Sequence, residues 1–473
     1  MDRATGIGIR GTGTGDDMAD LAQDQGQRTA EQRLTERLAA LRPARVDLGL
    51  DRMERLLAAL GNPQGQVPIA HVAGTNGKGS TCAAIAAIAS AAGYRTGRYT
   101  SPHLVSWTER ICIDGAAIAP TVFLELLEEV LAASEALAQE DEALFPTQFE
   151  LVTAVAWLHF ARQGVDLAVM EVGLGGRLDA TNVCDRPLVT AIVSISRDHW
   201  QVLGDSIAAI ATEKAGIMKA NVPTVIGPLP PAARKVVRDR AAALPCPMIE
   251  AAPAVPIDPP RDATVGTWMD WVEASEVAYP LALTGQVQRQ NSAVAIAMVQ
   301  QLQAQGFDRI DTAAIQTGMA QVTWPGRMQW VTWRNRLLLV DGAHNRDAAD
   351  ALRLHVDGLM RGETAWVMGV MATKDYRGLF ESLLRPDDRL YLVPIPDHAG
   401  MDPKELAAIA LEICPELRDC QTFDDLDGAI AAAFTPPPHT TQDPELQALV
   451  VLCGSLYLIG QFLGDLAQTT NQL

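Results

Sequence analysis

The stretch PIAHVAGTNGKGSTCAAIAAIASAAG, residues 68–93, sets a cluster of Gly, Asn, Lys and Ser between a short apolar run and a long Ala-rich one. The usual phosphate-binding loop reads GxxxxGK[ST]. Here Gly74, Thr75, Asn76, Gly77, Lys78, Gly79, Ser80 and Thr81 nearly match it, with an extra glycine after the lysine. Residues 68–73 read as a strand and 78–93 as a helix, which is the context the loop needs. Its glycines let backbone N–H groups close around phosphate oxygens. The helix N-terminus adds a favourable dipole, and Lys78 supplies a point charge. Ser80 or Thr81 is placed to position a phosphate or a metal ion. A mere helix cap would leave a lysine among glycines without a purpose.

Outward from this loop, strands alternate with helices. VDLAVME (165–171), LVTAIVS (188–194) and PTVIG (223–227) read as buried strands, the first two without polar alternation. FPTQFELVTAVAWLHFARQG reads as a helix capped by Thr147, with Glu150 three places on as its capping-box partner. Residues 228–281, rich in Pro and Ala, are expected to hold a helix, a small strand pair and loops. PGRMQWVTW, RLLLVDGAHN, TAWVMGV, RLYLVPI and LQALVVLCG then supply strands for a second unit, with FTPPPHTTQDP as a loop in it. The pattern predicts an α/β fold: a mainly parallel P-loop sheet domain and a smaller Rossmann-like α/β domain. The expected division is a poorly structured extension over 1–45, ending in a polar helix, then domains at 46–322 and 323–473.

Composition narrows the function classes. The 473 residues are too many for one ordinary core. Asp and Glu number 57 against 38 Lys and Arg, a net charge of -19, and an acidic surface repels nucleic-acid backbones. Seven scattered cysteines with no CxxC pair fit a reducing compartment. The N-terminus lacks a secretory h-region, and the apolar segment LQALVVLCGSLYLIGQFLG is interrupted by Gly454 and Ser455. The expectation is a cytoplasmic protein with neither nucleic-acid nor membrane partners.

Other residues fall at strand ends. Glu171 ends a strand and leads into the glycines at 173, 175 and 176, where open α/β sheets bind ligands; it reads either as a Mg²⁺ holder beside a triphosphate or as a solvated acid. Asp198 and His199 follow another buried strand, and His199 reads as a metal or phosphate ligand or as a histidine packed beside Trp200. Lys214 alone is an unremarkable helical lysine. Asp341, His344 and Asn345 sit at the end of the Leu-rich strand, and Arg327, after a Pro-Gly turn, suits either phosphate or an interdomain ion pair.

Taken together, HVAGTNGKGST, GRYTSPHLVSWTERICIDG, EVGLGGRLDATNV, DHWQVLGDSIAAIATEKAGIMK, TWPGRM, DGAHN and GSLYLIG resemble the folylpolyglutamate synthase / dihydrofolate synthase family of Mur-type ligases over roughly residues 46–473. The resemblance implies an ATP-dependent amide ligase. It would add L-glutamate to dihydropteroate, to reduced folates, or to both, through an acyl phosphate. The bifunctional form is the expectation, with a monofunctional folylpolyglutamate synthase or another Mur-type ligase as alternatives. It further implies that Lys78 and its loop bind ATP, that Ser101, Glu171 and His199 serve Mg²⁺ (with a monovalent cation such as K⁺ a further candidate), and that Lys214 is N-carbamylated. Asn291 and Arg327 would approach the nucleotide from the far side of a cleft, and Asp341 and His344 would complete the catalytic set in a monomer. The stretch 100–104 and loops near 147–153 would hold the pterin. Three positions depart from the family pattern: Val287-Gln288 for His-Gln, Arg346 for the Pro after DGAHN, and Thr373-Lys374-Asp375 for Asp-Lys-Asp. Rival readings are a P-loop kinase of small molecules and a non-catalytic nucleotide-binding protein.

Overall fold

A computed structural model describes residues 29–41, 47–260, 265–266, 268–359, 363–396, 399–435 and 448–470. Most of FTPPPHTTQDP lies outside them. Of the expected unstructured extension, the described part is the helix Ala30–Ala39. It is capped by a Thr29–Gln32 box and buries Leu34 and Leu38. Two apolar side chains four apart are enough to dock an otherwise polar helix.

The first sheet has eight strands: β1 (Ile69–Ala73), β2 (Thr96–Tyr99), β3 (Ile111–Ile113), β4 (Ala116–Ala117), β5 (Leu167–Glu171), β6 (Val189–Ile192), β7 (Thr224–Ile226) and β8 (Met248–Glu250). Their order is β4-β3-β2-β5-β1-β6-β7-β8, and only the β2–β3 and β3–β4 pairs are antiparallel, so β3 alone runs against the rest. Every residue of β1, β5 and β6 is buried, as strands covered on both faces must be. The Ala-rich helix Lys78–Ala91 packs against Gln286–Gln303 and Thr312–Gln321. Small side chains permit that approach: a Cβ on Gly318 would stand 2.5 Å from the Ile88 Cα.

On the opposite face lies the helix Gln148–Gln163. Its predicted box is present, with Thr147 N–H donating to Glu150 Oε2 at 2.7 Å and Glu150 N–H to Thr147 Oγ1 at 3.2 Å. Residues 148–153 are therefore helix rather than loop. Residues 228–281 contain more strand than expected: β8 joins the main sheet, and β9 (Val255–Ile257), β10 (Asp270–Ala274) and β11 (Val277–Leu281) form a separate antiparallel sheet.

The second large sheet is β12 (Gln329–Trp333), β13 (Arg336–Val340), β14 (Thr364–Met368), β15 (Arg389–Leu392), β16 (Asp419–Thr422) and β17 (Leu449–Cys453), in the order β12-β13-β17-β14-β15-β16. Only β12 is antiparallel. The helix Leu456–Thr470 follows β17, and its Gly460 lies directly on the Leu104 carbonyl of the first unit. No described helix is long and apolar enough to cross a membrane.

Candidate active site

From β1 the chain crosses to β2 on one side, and from β6 to β7 on the other, so their carboxyl-end loops part and leave a crevice. The phosphate-type loop fills one lip. Thr75 N–H donates to the Ser194 carbonyl, Asn76 N–H to Ser194 Oγ, and that hydroxyl to the Asn76 carbonyl, each at 2.9 Å. Gly77 has φ 83° and caps Lys78–Ala91 without any side-chain bond. A Cβ there would collide with Asn291 Oδ1, and one on Gly79 with the Trp324 ring. An uncapped helix N-terminus behind a glycine cradle fits an anionic phosphate.

The loop, together with Ser101, Glu171, His199, Lys214, Asn291, Arg327, Asp341 and His344, lines one cavity of about 1060 Å³. Thr81 does not. It is fully buried, with its hydroxyl 3.4 Å from the Asn291 carbonyl, because one step along a helix turns its side chain into the core. Asn291 meets the loop itself, against Gly77, instead of crossing from the far side.

Lys78 Nζ lies 3.4 Å from the Thr75 carbonyl and 3.7 Å from Glu171 Oε1. Burial pushes the Glu171 carboxyl up, opposed by Lys78 and by the Ser101 N–H that donates to Oε2 at 3.2 Å. Among the described residues no three His, Cys, Asp or Glu side chains converge as a metal cage. Glu171 and Ser101 nevertheless offer hard oxygen donors, and Mg²⁺ commonly takes one or two carboxylates together with phosphate and water. His199 adopts φ 51° and exposes its side chain at the cavity. Lys214 ends the helix Ile207–Lys214; its Nζ donates to the Gly74 carbonyl at 2.9 Å, and burial, reinforced by Lys78, pushes its pKa down to about 7.

The second sheet supplies the other wall. Asp341 accepts from Met328 and Ala343 N–H at 2.9 and 2.8 Å, and burial pushes its carboxyl up against the pull of Arg327. Gly342 leaves room for that arginine: a Cβ would stand 2.5 Å from Arg327 Nη1. His344 donates from Nδ1 to the Gly342 carbonyl at 2.7 Å and turns Nε2 to within 3.7 Å of Asp198.

Asp198 is the residue that sequence reasoning left without a role. It accepts from Lys374 Nζ at 2.7 Å, from Asn345 Nδ2 at 3.2 Å and from the His199 N–H at 2.9 Å. Asn76 and Asn345 exchange amide bonds at 3.1 and 3.0 Å, and Gln201 donates to the Thr373 carbonyl at 3.2 Å. The Thr373 departure is thus met by a backbone contact, Gln288 bonds Asn291 at 2.9 Å, and Arg346 pairs with Glu381 at 3.1 Å. Burial would raise the Asp198 carboxyl, but His344, Lys374 and His199 together hold it well below the usual range. Asp198→Asn is therefore expected to cost about 3 kcal/mol near neutral pH by stranding Lys374. A depressed carboxyl gives stability above its unfolded pKa of about 3.9 and loses it as pH falls further. Thermal unfolding at pH 7 and pH 3 should show the deficit at the first and a smaller one at the second.

A phosphate cradle on one α/β unit, faced by Asp341, His344 and Arg327 from another, is the build of a Mur-type ATP-dependent amide ligase. The chain matches the family described as Mur ligase middle domain over residues 72–299 and Dihydrofolate synthetase, C-terminal domain, over 327–465. It is 33% identical over 411 residues to the folylpolyglutamate synthase of Lacticaseibacillus casei, covering 86% of this chain and 92% of that one. It is 38% identical over 311 residues to the dihydrofolate synthase/folylpolyglutamate synthase of Bacillus subtilis, covering 65% and 71%. The Mycobacterium tuberculosis folylpolyglutamate synthase complexed with ADP and AMPPCP superposes with a TM-score of 0.81 at 31% identity, covering 91% and 97%. The chain belongs to the folylpolyglutamate synthase / dihydrofolate synthase family and is an ATP-dependent ligase that joins glutamate to folate substrates. Membership implies the use of ATP and Mg²⁺.

Proposed function

We propose that this chain adds L-glutamate both to dihydropteroate and to the γ-carboxylate of reduced folates. The observation that carries the reading is the single continuous cavity. It runs from the phosphate loop past Ser101, Pro102 and Phe149 to Ser455, which supports one reaction centre for either acceptor. The Bacillus subtilis relative, named for both activities, supports it. Residues 46–322 hold the nucleotide and acceptor, 323–473 close over them, and the enzyme acts as a cytoplasmic monomer without nucleic acid.

A carboxylate is a poor acyl donor, so the γ-phosphoryl of ATP is first transferred to it. The glutamate amine then attacks the acyl phosphate; the C–N bond forms, the C–O bond to phosphate breaks, and the amine gives up its proton. Lys78 and the loop N–H groups face the transferring phosphoryl charge. Glu171 and Ser101, with His199, would hold Mg²⁺, which would supply Lewis-acid stabilisation when bound. Arg327 and Asn291 hold the nucleotide, Asp341 fixes the Arg327 turn through the Met328 N–H, and His344 faces the reacting groups. Lys214 contributes as a carbamate. The Asp198–Lys374 and Asn76–Asn345 contacts hold the two walls together, which keeps water from the acyl phosphate.

The test is glutamate-dependent ADP release with dihydropteroate and reduced folates offered separately, and products weighed by mass spectrometry. A glutamate-sized gain on both acceptors is expected. Gain on one alone reduces the assignment to that activity, and gain on neither overturns it.

A further inference from the structure

Five cations line the cavity: Lys78, Arg110, Lys214, Arg327 and Lys374. Lys78 faces Glu171, Lys374 is paired with Asp198, Lys214 is close to neutral, and Arg327 lies beside Asp341 at the nucleotide wall. Arg110 has no such role. It follows the Ser106–Glu109 capping box and precedes β3, and its carbonyl accepts the Thr100 N–H at 3.0 Å, which sets it next to Ser101. Its Nε donates to His103 Nδ1 at 2.9 Å and its guanidinium lies 4.3 Å over the Trp107 ring.

Neither nearby carboxylate forms an ion pair with this charge; Glu171 and Glu109 favour it only from a distance. Glu109 spends both oxygens on the N–H groups of Leu104, Val105 and Ser106, at 2.8, 2.9 and 2.8 Å. Glu171 is engaged by Ser101 and Lys78. Among the described residues Arg110 forms no ion pair, and its two terminal nitrogens have no protein acceptor. A mostly buried guanidinium with no carboxylate bonded to it is costly to keep, and Arg cannot shed its proton to escape the cost. Its planar fork matches a carboxylate through two parallel bonds. Tyr457 of the second unit lies close to it, and Ser455 and Leu456 line the same cavity, so both units contribute to the space around Arg110.

We infer that Arg110 binds a substrate carboxylate, contributed either by free L-glutamate or by the acidic acceptor. This rests on the ligase reading above. The test is steady-state ADP release by Arg110→Gln and Arg110→Lys, with L-glutamate, acceptor and ATP varied in turn, alongside thermal unfolding without substrates. Arg110→Gln is expected to raise the KM of one acidic substrate by about 10- to 100-fold, with Arg110→Lys intermediate and the KM for ATP little changed. Removing a desolvated charge that no carboxylate bonds should leave the melting temperature equal or higher. A shift confined to glutamate names the amino acid as the source, and one confined to the acceptor names the acceptor. If neither KM moves, or if Arg110→Gln melts well below the parent or does not fold, the guanidinium serves the fold and the inference is overturned. Failure of the parent enzyme to turn over at all would instead count against the ligase reading.

Discussion

Lys78→Ala is expected to lower kcat/KM for glutamate-dependent ADP release about 1000-fold, with most of the loss in kcat. The asymmetry follows from where the charges sit. In the ground state the triphosphate still meets the Gly77 cradle and the uncapped end of Lys78–Ala91, which the substitution leaves in place. Lys78 Nζ, between the Thr75 carbonyl and Glu171, is the mobile cation at that spot, and it can follow charge as the phosphoryl group transfers. Its removal also strands Glu171. Burial already pushes that carboxyl up, and loss of the first opposing influence moves it further in the same direction. The acid limb of the variant's residual activity should shift to higher pH accordingly. Steady-state kinetics across pH 6–9 check both points. A loss below about 10-fold, or one confined to the KM for ATP, would remove Lys78 from the transferring phosphoryl group.

Most of the strands that were legible in the sequence are buried on both faces, although part-exposed β12 and β13 were read as well. Every residue of β1, β5, β6, β14 and β17 is buried, and these strands are mainly apolar because both faces are covered. β16 escaped notice because Asp-Cys-Gln-Thr is a part-exposed edge whose pairing with β15 leaves no hydrophobic period. β3 and β4 are too short to carry one. The site shows the same division. Residues bound to their neighbours by chain geometry, such as the 74–80 loop and the Thr147–Glu150 box, could be read from spacing. Asp198 could not, since its partner Lys374 lies 176 positions away in a turn of the second unit and nothing local marks the pair. Arg110 had a faint local signal: Ser106-x-x-Glu109 is a capping-box pattern, which commits the adjacent acid and leaves the arginine without it.

Lys214 should behave as a neutral amine over most of the working pH range, and that property decides what it can become. Its Nζ donates to the Gly74 carbonyl, and burial, reinforced by the charge of Lys78, holds its pKa at about 7 against about 10.4 in the unfolded chain. A neutral amine can attack CO₂; the N–C bond forms, one proton leaves, and a carbamate anion replaces a cation. Protein equilibrated with ¹³C-bicarbonate at pH 8 is expected to show one protein-bound carbamate resonance that is absent from Lys214→Met. Activity of that variant should fall about 100-fold or more, and the parent's activity should fall as pH drops through 7, where the amine holds its proton. Stability gives an independent readout. Between about pH 7 and 10.4 the unfolded chain binds the proton that the folded chain has released, so the lysine's contribution to stability rises with pH across that window and is lowest below it. In CO₂-free buffer Lys214→Met should therefore exceed the parent in stability most at pH 6, with the gap closing towards pH 10. A missing resonance would refute the carbamate, and a pH-independent gap would refute the depressed amine on which its formation depends.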